Sequence, residues 1–131
     1  MIYSQLKITK NLLVKIKTNL FFALSYSILI IFVSLIKIES ETNITHLDKI
    51  IHAGIYFIFC ILWFGPLRGL FKKGTLFYVF LLSIFYGILM ELFQGNLTSY
   101  RNFELEDILS NSIGSLIACS FLFLKNNVKK S

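Results

Sequence analysis

Four long apolar runs separated by short polar stretches set the plan of this chain: about Leu20 to Ile36, Ile50 to Leu67, Thr75 to Phe93 and Ile108 to Leu124. Each is near the roughly 17 to 25 residues that a helix needs to cross a hydrocarbon core of about 30 Å. The pattern therefore predicts an all-α fold, an integral membrane bundle of four helices. The punctuation is ordinary turn chemistry. Gly65-Pro66 is expected to close the second span, Lys72-Lys73-Gly74 to turn into the third, and Gly95 to Tyr100 to begin the loop before the fourth. Connections this short imply antiparallel neighbours. The stretch from Gln94 to Glu106 is polar enough to fold back over the mouth of the bundle.

Composition agrees with the periodicity. The chain has 131 residues, 56% of them hydrophobic and 16% aromatic, too apolar for an ordinary soluble domain and long enough for only one domain. We divide it into a basic amphipathic arm (residues 1–18), a four-span membrane domain (19–125) and a basic tail (126–131). Lys7, Lys10, Lys15 and Lys17 precede the first run as in a signal peptide. That run is longer than a signal's apolar region, however, and is followed by Lys37-Ile38-Glu39-Ser40-Glu41, which offers no small-residue cleavage site. The arm also mixes Ile2, Leu6, Leu12, Leu13, Val14 and Ile16 with its lysines, which suggests a short interfacial helix feeding the first span.

Charge supplies the orientation. Lys7, Lys10, Lys15 and Lys17 lie before the first span, Arg68, Lys72 and Lys73 between the second and third, and Lys125, Lys129 and Lys130 after the fourth, with no acid among them. All seven acids fall in or beside Glu39 to Asp48 and Glu91 to Asp107. Basic residues in short loops mark the cytoplasmic side, so both termini are expected in the cytoplasm and the protein in a bacterial inner membrane. The net charge of +6 then reflects an anionic leaflet. Nucleic acid is excluded as a partner because the basic residues are split among three separate segments. Cys60 and Cys119 fall within spans and read as buried apolar groups, with no disulfide expected. Asn43-Ile44-Thr45 and Asn96-Leu97-Thr98 match a glycosylation pattern so short that both read as chance.

Three of the four spans carry a polar stripe. Asp48, His52 and Tyr56 are spaced i, i+4, i+8 and share one helix face. Ser83, Gly87, Glu91 and Gln94 form a face on the third span, and Asp107, Asn111, Gly114 and Ala118 one on the fourth. A charge at mid-bilayer costs roughly 2.5 to 3.5 kcal/mol, so such groups face a bundle interior or a wet cavity. Glu91 and His52 are expected to point inward and meet. Gly87, Gly114 and Ala118 would let backbones approach closely enough for Asn111 or Gln94 to hydrogen-bond across helices. The first span has only Ser25, Ser27 and Ser34, and a serine can satisfy itself on its own helix. That span is placed at the periphery or against another protein. Structural roles compete with functional ones: Asp107 could cap the fourth helix, and Arg101 could pair with Glu91, Glu104 or Glu106.

These residues resemble the VanZ-like family of small bacterial membrane proteins. The resemblance lies in Asp48-Lys49-x-x-His52-x-x-x-Tyr56, then Glu91-x-x-Gln94, then Arg101, then Asp107-x-x-x-Asn111-x-x-Gly114, running from Asp48 to Ala118. Each piece is weak alone, and their order on the right helices makes the match fairly specific. Ala118 departs from an expected second glycine. The family is named for a protein associated with resistance to the glycopeptide teicoplanin. Resemblance therefore implies a multi-span protein connected with the cell envelope, and antibiotic resistance only for the namesake.

Two classes of function fit these residues. In the first, an outward-facing polar pocket of Asp48, Lys49, His52, Tyr56, Glu91, Gln94, Arg101 and Asn111 binds a lipid headgroup or envelope precursor, or the chain serves as an accessory subunit. Lys49 and Arg101 would meet an anionic group, with Tyr56 and Tyr100 at headgroup level. In the second, an enzyme acts on a lipid-linked envelope intermediate, with His52 as general acid or base, Glu91 or Asp107 orienting it and Arg101 stabilising charge. No nucleophile motif or phosphate loop supports chemistry. Asp48 and His52 could supply two metal ligands from one helix face, but with no further His we expect no metal and no cofactor. A channel or transporter fits least, since no broken-helix pair or repeat is present. The aromatics Phe57, Phe59, Trp63, Phe77, Phe80 and Phe85 could pack on a partner membrane protein or face membrane lipids.

Overall fold

The structure, a computed structural model, describes residues 2–35, 45–98 and 103–128, with side chains over 10–35, 47–98 and 103–128. Arg101, Tyr100, Lys7, Lys37, Glu39, Glu41, Asn43, Lys129 and Lys130 lie outside those side chains. Four α-helices account for nearly all of it: α1 (Ile2–Leu35), α2 (Thr45–Leu70), α3 (Thr75–Leu97) and α4 (Leu105–Val128). All four contain a stretch long and apolar enough to cross a membrane.

Inter-helix contacts fix the topology. The end of α2 meets the end of α4, where Arg68 donates to Asn126 at 3.1 Å, and the start of α2 meets the start of α4 through Lys49 and Glu104 at 2.7 Å. These two helices are therefore parallel. The end of α3 lies by the start of α4, and the end of α1 by the end of α3, where Gln94 donates to the Ser34 carbonyl at 3.1 Å. Consecutive helices thus alternate in direction. The bundle is inside out by the standards of water: Phe21, Phe22, Phe32, Phe77, Phe85, Ile113, Ile117 and Phe123 are exposed, while Ser83, Glu91, Gln94, Asp107, Asn111 and Ser115 are buried. So much exposed apolar surface is what lipid accommodates and water does not.

Helix boundaries differ from expectation at three places. The arm and first span form one uninterrupted helix, about 51 Å long at 1.5 Å per residue. Gly65-Pro66 does not close the second span. Proline removes only the bond to the Leu62 carbonyl, and the helix continues to Leu70. Here Gly65 has a steric reason, since a Cβ would come within 2.7 Å of the Asn19 amide nitrogen on α1. The third helix likewise passes Gly95 and ends at Leu97, with the Thr98 N–H and hydroxyl both bonded to the Gln94 carbonyl. At the other end the turn behaves as expected: Gly74 takes a left-handed φ of 71°, which glycine adopts without steric cost, and α3 begins at Thr75.

The first span is peripheral in one sense: α1 packs on α2 and α3 and not on α4. Polar contacts nevertheless fasten it. Ser27 returns its hydroxyl to the Ala23 carbonyl at 2.8 Å, the self-satisfaction expected of a serine in a span, and its oxygen also accepts from the Trp63 indole at 3.1 Å. The Tyr86 hydroxyl donates to the Ser27 carbonyl at 2.6 Å, and the Tyr26 hydroxyl to the Ile55 carbonyl at 3.2 Å. Trp63 is therefore occupied inside the bundle. Phe59 also leaves the set of surface aromatics: it is 1% exposed and stacks on Tyr86 with ring centroids 5.0 Å apart.

A serine pair ties α3 to α4. The Ser115 hydroxyl donates to the Asn111 carbonyl at 2.7 Å, so the 2.6 Å contact with Ser83 is a bond donated by Ser83. Interhelical bonds of this kind in membrane proteins average about 0.6 kcal/mol. Ser83→Ala is expected to lower unfolding free energy in mixed micelles by about that amount; a loss above about 2 kcal/mol would mean that more than this bond depends on Ser83.

Candidate functional site

The polar stripes converge at one end of the bundle, where α2 and α4 begin and α3 ends. Lys49, in the first turns of α2, is the hub. Its ammonium bonds the Asp107 carboxylate and Glu104 at 2.7 Å, with Glu106 at 3.8 Å. Asp107 is not a cap. It lies within the first turn of α4, where the positive end of the helix dipole favours a carboxylate, and its side chain, 3% exposed, turns into the bundle. The exposed Glu104 and Glu106 add little to stability, as exposed ion pairs do. The alternative pairing of these glutamates with Arg101 lies outside the described residues. Their contact with Lys49 depends on α2 lying parallel to α4, which nothing local encodes.

His52, one turn further into α2, is buried against α4. Its Nδ1 lies 3.2 Å from Asn111 Oδ1, so Nδ1 carries the proton and donates to the amide oxygen. In the neutral ring this leaves Nε2 as a lone pair, facing Asp107 Oδ2 at 3.7 Å and Asp48 Oδ1 at 3.8 Å. Asp107 thus divides its two oxygens between Lys49 and His52. His52 and Glu91 do not form the expected pair: the carboxylates facing the imidazole belong to Asp48 and Asp107. Glu91, 1% exposed, accepts a bond from the Glu104 backbone N–H at 3.4 Å, across the returning loop.

The described end of that connection, residues 103 and 104, lies against the end of α3. A Cβ on Gly95 would sit 3.2 Å from the Phe103 backbone nitrogen, so residues 103 and 104 press on the end of α3. Beneath them Gln94 donates to Ser34, while its own Oε1 and the Tyr56 hydroxyl are buried with no hydrogen-bond partner among the described residues. Ser34 enters the site only through its backbone carbonyl, which no residue pattern announces.

Close backbone approach underlies this geometry at Gly114. A Cβ there would overlap the Ala53 carbonyl group, 2.7 Å from its carbon. Asn111 lies one turn before Gly114, and His52 directly precedes Ala53, so this close α2–α4 approach is also what brings His52 to Asn111. Gly87 is less tight: its nearest neighbours are side-chain atoms, Asn111 Nδ2 at 3.3 Å and the Tyr56 ring at 3.4 Å. Ala118 is fully buried against Cys60, Leu67 and Val79. Cys60 and Cys119 are both free thiols.

The arrangement offers an oriented imidazole lone pair, paired carboxylates and a half-buried ammonium, chemistry suited to binding a polar or charged group. No known protein family, curated protein or solved structure matches this chain.

Proposed function

We propose that the chain is a multi-pass protein of a bacterial inner membrane, both termini cytoplasmic, whose outward-facing polar mouth binds the headgroup of a lipid or lipid-linked envelope precursor. It would do so alone or as the accessory subunit of an envelope complex. The observation that carries this reading is the pair of orphaned buried atoms, the Tyr56 hydroxyl and Gln94 Oε1. Buried polar atoms without partners are costly, about 1 to 3 kcal/mol each, and a bound hydroxyl-bearing or amine-bearing headgroup would satisfy both. Lys49 is already bonded to two carboxylates, so the headgroup's donors, more than its phosphate, would meet the described part of the site.

Orientation rests on the basic residues at the opposite end, Arg68, Lys72, Lys73 and Lys125 among them. The resemblance to the VanZ-like family, in Asp48-Lys49-x-x-His52-x-x-x-Tyr56 and the later motifs, supports the envelope connection. Binding is tested by mass spectrometry of lipid that co-purifies with the protein. Tyr56→Phe combined with Gln94→Leu removes the two orphan groups with little change of volume. The double variant is expected to retain less than about a third of the wild-type lipid, the loss of one modest hydrogen bond being worth that factor. Unchanged lipid content would remove the headgroup reading.

A further inference from the structure

Three side chains from two helices converge on one point at the mouth. Asp48 Oδ1, His52 Nε2 and Asp107 Oδ2 lie within 4.8 Å of one another. From these positions we infer that the protein binds one first-row divalent cation, with zinc the best match, through Asp48, His52 and Asp107, and that Asn111 positions the histidine for it. The inference goes beyond headgroup binding and stands whether or not a lipid enters the mouth.

The imidazole carries the argument. His52 is buried, and its Nδ1 proton is committed to Asn111. Among the described residues its Nε2 has no hydrogen bond, because both facing carboxylate oxygens stand at 3.7 and 3.8 Å, beyond reach, and both are acceptors. A lone pair aimed between two carboxylate oxygens is poorly placed for a neutral histidine. It is well placed for a ligand, since metal-bound histidines donate the other ring N–H to an oxygen that fixes the tautomer.

Dimensions come close. Zinc bonds nitrogen and carboxylate oxygen at about 2.0 to 2.2 Å, so its tetrahedral donors stand roughly 3.3 to 3.6 Å apart. Both oxygens stand slightly beyond that spacing from His52 Nε2, so an ion would draw the donors together, chiefly by an inward shift of the Asp48 side chain, which is 45% exposed. The donor set selects among cations: an imidazole favours zinc and its neighbours in the first row over magnesium and calcium, which prefer oxygen alone. Three protein ligands also leave at least one position for water or an anionic group, as in zinc sites that are not purely structural. The second carboxylate oxygen of Asp107 stays on Lys49, which holds the ligand in place in the way second-sphere partners do.

The full chain, purified in detergent and stripped with chelator, would be titrated with zinc against a chromophoric chelator, and with manganese followed by electron paramagnetic resonance. One ion per chain is expected. His52→Gln should weaken zinc at least 100-fold, and Asn111→Ala, which keeps every ligand, 10- to 100-fold. Asp48→Asn changes a half-exposed side chain, so it should fold normally and bind at least 10-fold more weakly. Zinc affinity unchanged in His52→Gln, or absent in the wild type, would overturn the site. Zinc affinity of the Tyr56→Phe, Gln94→Leu double variant should stay at the wild-type level, which separates this site from headgroup capture at Tyr56 and Gln94.

Discussion

Lys49→Met is expected to destabilise the protein by about 3 to 5 kcal/mol, the largest effect of any single side chain at the mouth. The substitution keeps the length and apolar stem of Lys49 but removes the ammonium bonded to Asp107, whose side chain is 3% exposed. A carboxylate so deeply placed cannot recover its lost partner's share from water, and the cost falls on folding or on protonation of the acid. Its other carboxylate partner behaves differently, because Glu104 is more than half exposed and is rehydrated at little cost. Glu104→Gln should therefore change stability by less than about 1 kcal/mol. Adding Asp107→Leu to Lys49→Met removes the stranded charge and should restore much of the loss. Unfolding in mixed micelles followed by circular dichroism reads all four proteins. A Lys49→Met variant within about 0.5 kcal/mol of wild type would show that the ammonium is not what balances Asp107.

The architecture was largely legible in the sequence because membrane spans are written in hydropathy, which does not depend on what packs beside them. The inward faces were legible for a similar reason. Asp48, His52 and Tyr56, or Asp107, Asn111 and Gly114, share a face by helical spacing alone, and burial of all but the half-exposed Asp48 follows from the cost of showing them to lipid. What the chain did not disclose is pairing across helices. Lys49 meets Asp107 and Glu104 only because α2 and α4 run parallel and touch, although 55 or more residues separate the partners. The same holds for Ser27, Trp63 and Tyr86: an isolated serine and two aromatics look lipid-facing until three helices bring them together. Helix ends were misplaced where local signals were outweighed. Pro66 forfeits one bond near the end of α2, and Gly95 stays helical where the Phe103 backbone comes close enough to disfavour a Cβ. The closeness of Asp107 to Asp48 and His52 was not legible on the same grounds, since it arises only through the α2–α4 contact.

That contact yields the second large effect. Gly114→Ala is expected to cost about 1 to 3 kcal/mol although it adds a single methyl group. The new Cβ would lie 2.7 Å from the Ala53 carbonyl carbon and closer still to its oxygen, and because the obstacle is backbone, no rotamer change relieves it. The helices must separate. Gly87→Ala provides the contrast, because its methyl meets only the Asn111 amide and the Tyr56 ring, side-chain atoms that can shift a few tenths of an ångström. It should cost less than about 1 kcal/mol. The two substitutions also differ at the site. His52 adjoins Ala53 and Asn111 sits one turn before Gly114, so forcing these backbones apart stretches the 3.2 Å bond between imidazole and amide and releases the Nδ1 proton from its fixed position. Nitrogen NMR of the His52 ring should therefore show the Nδ1-protonated tautomer in the wild type and in Gly87→Ala, and a mixture of tautomers in Gly114→Ala. A Gly114→Ala protein with wild-type stability and an unaltered His52 tautomer would mean that α2 and α4 are not held at backbone contact.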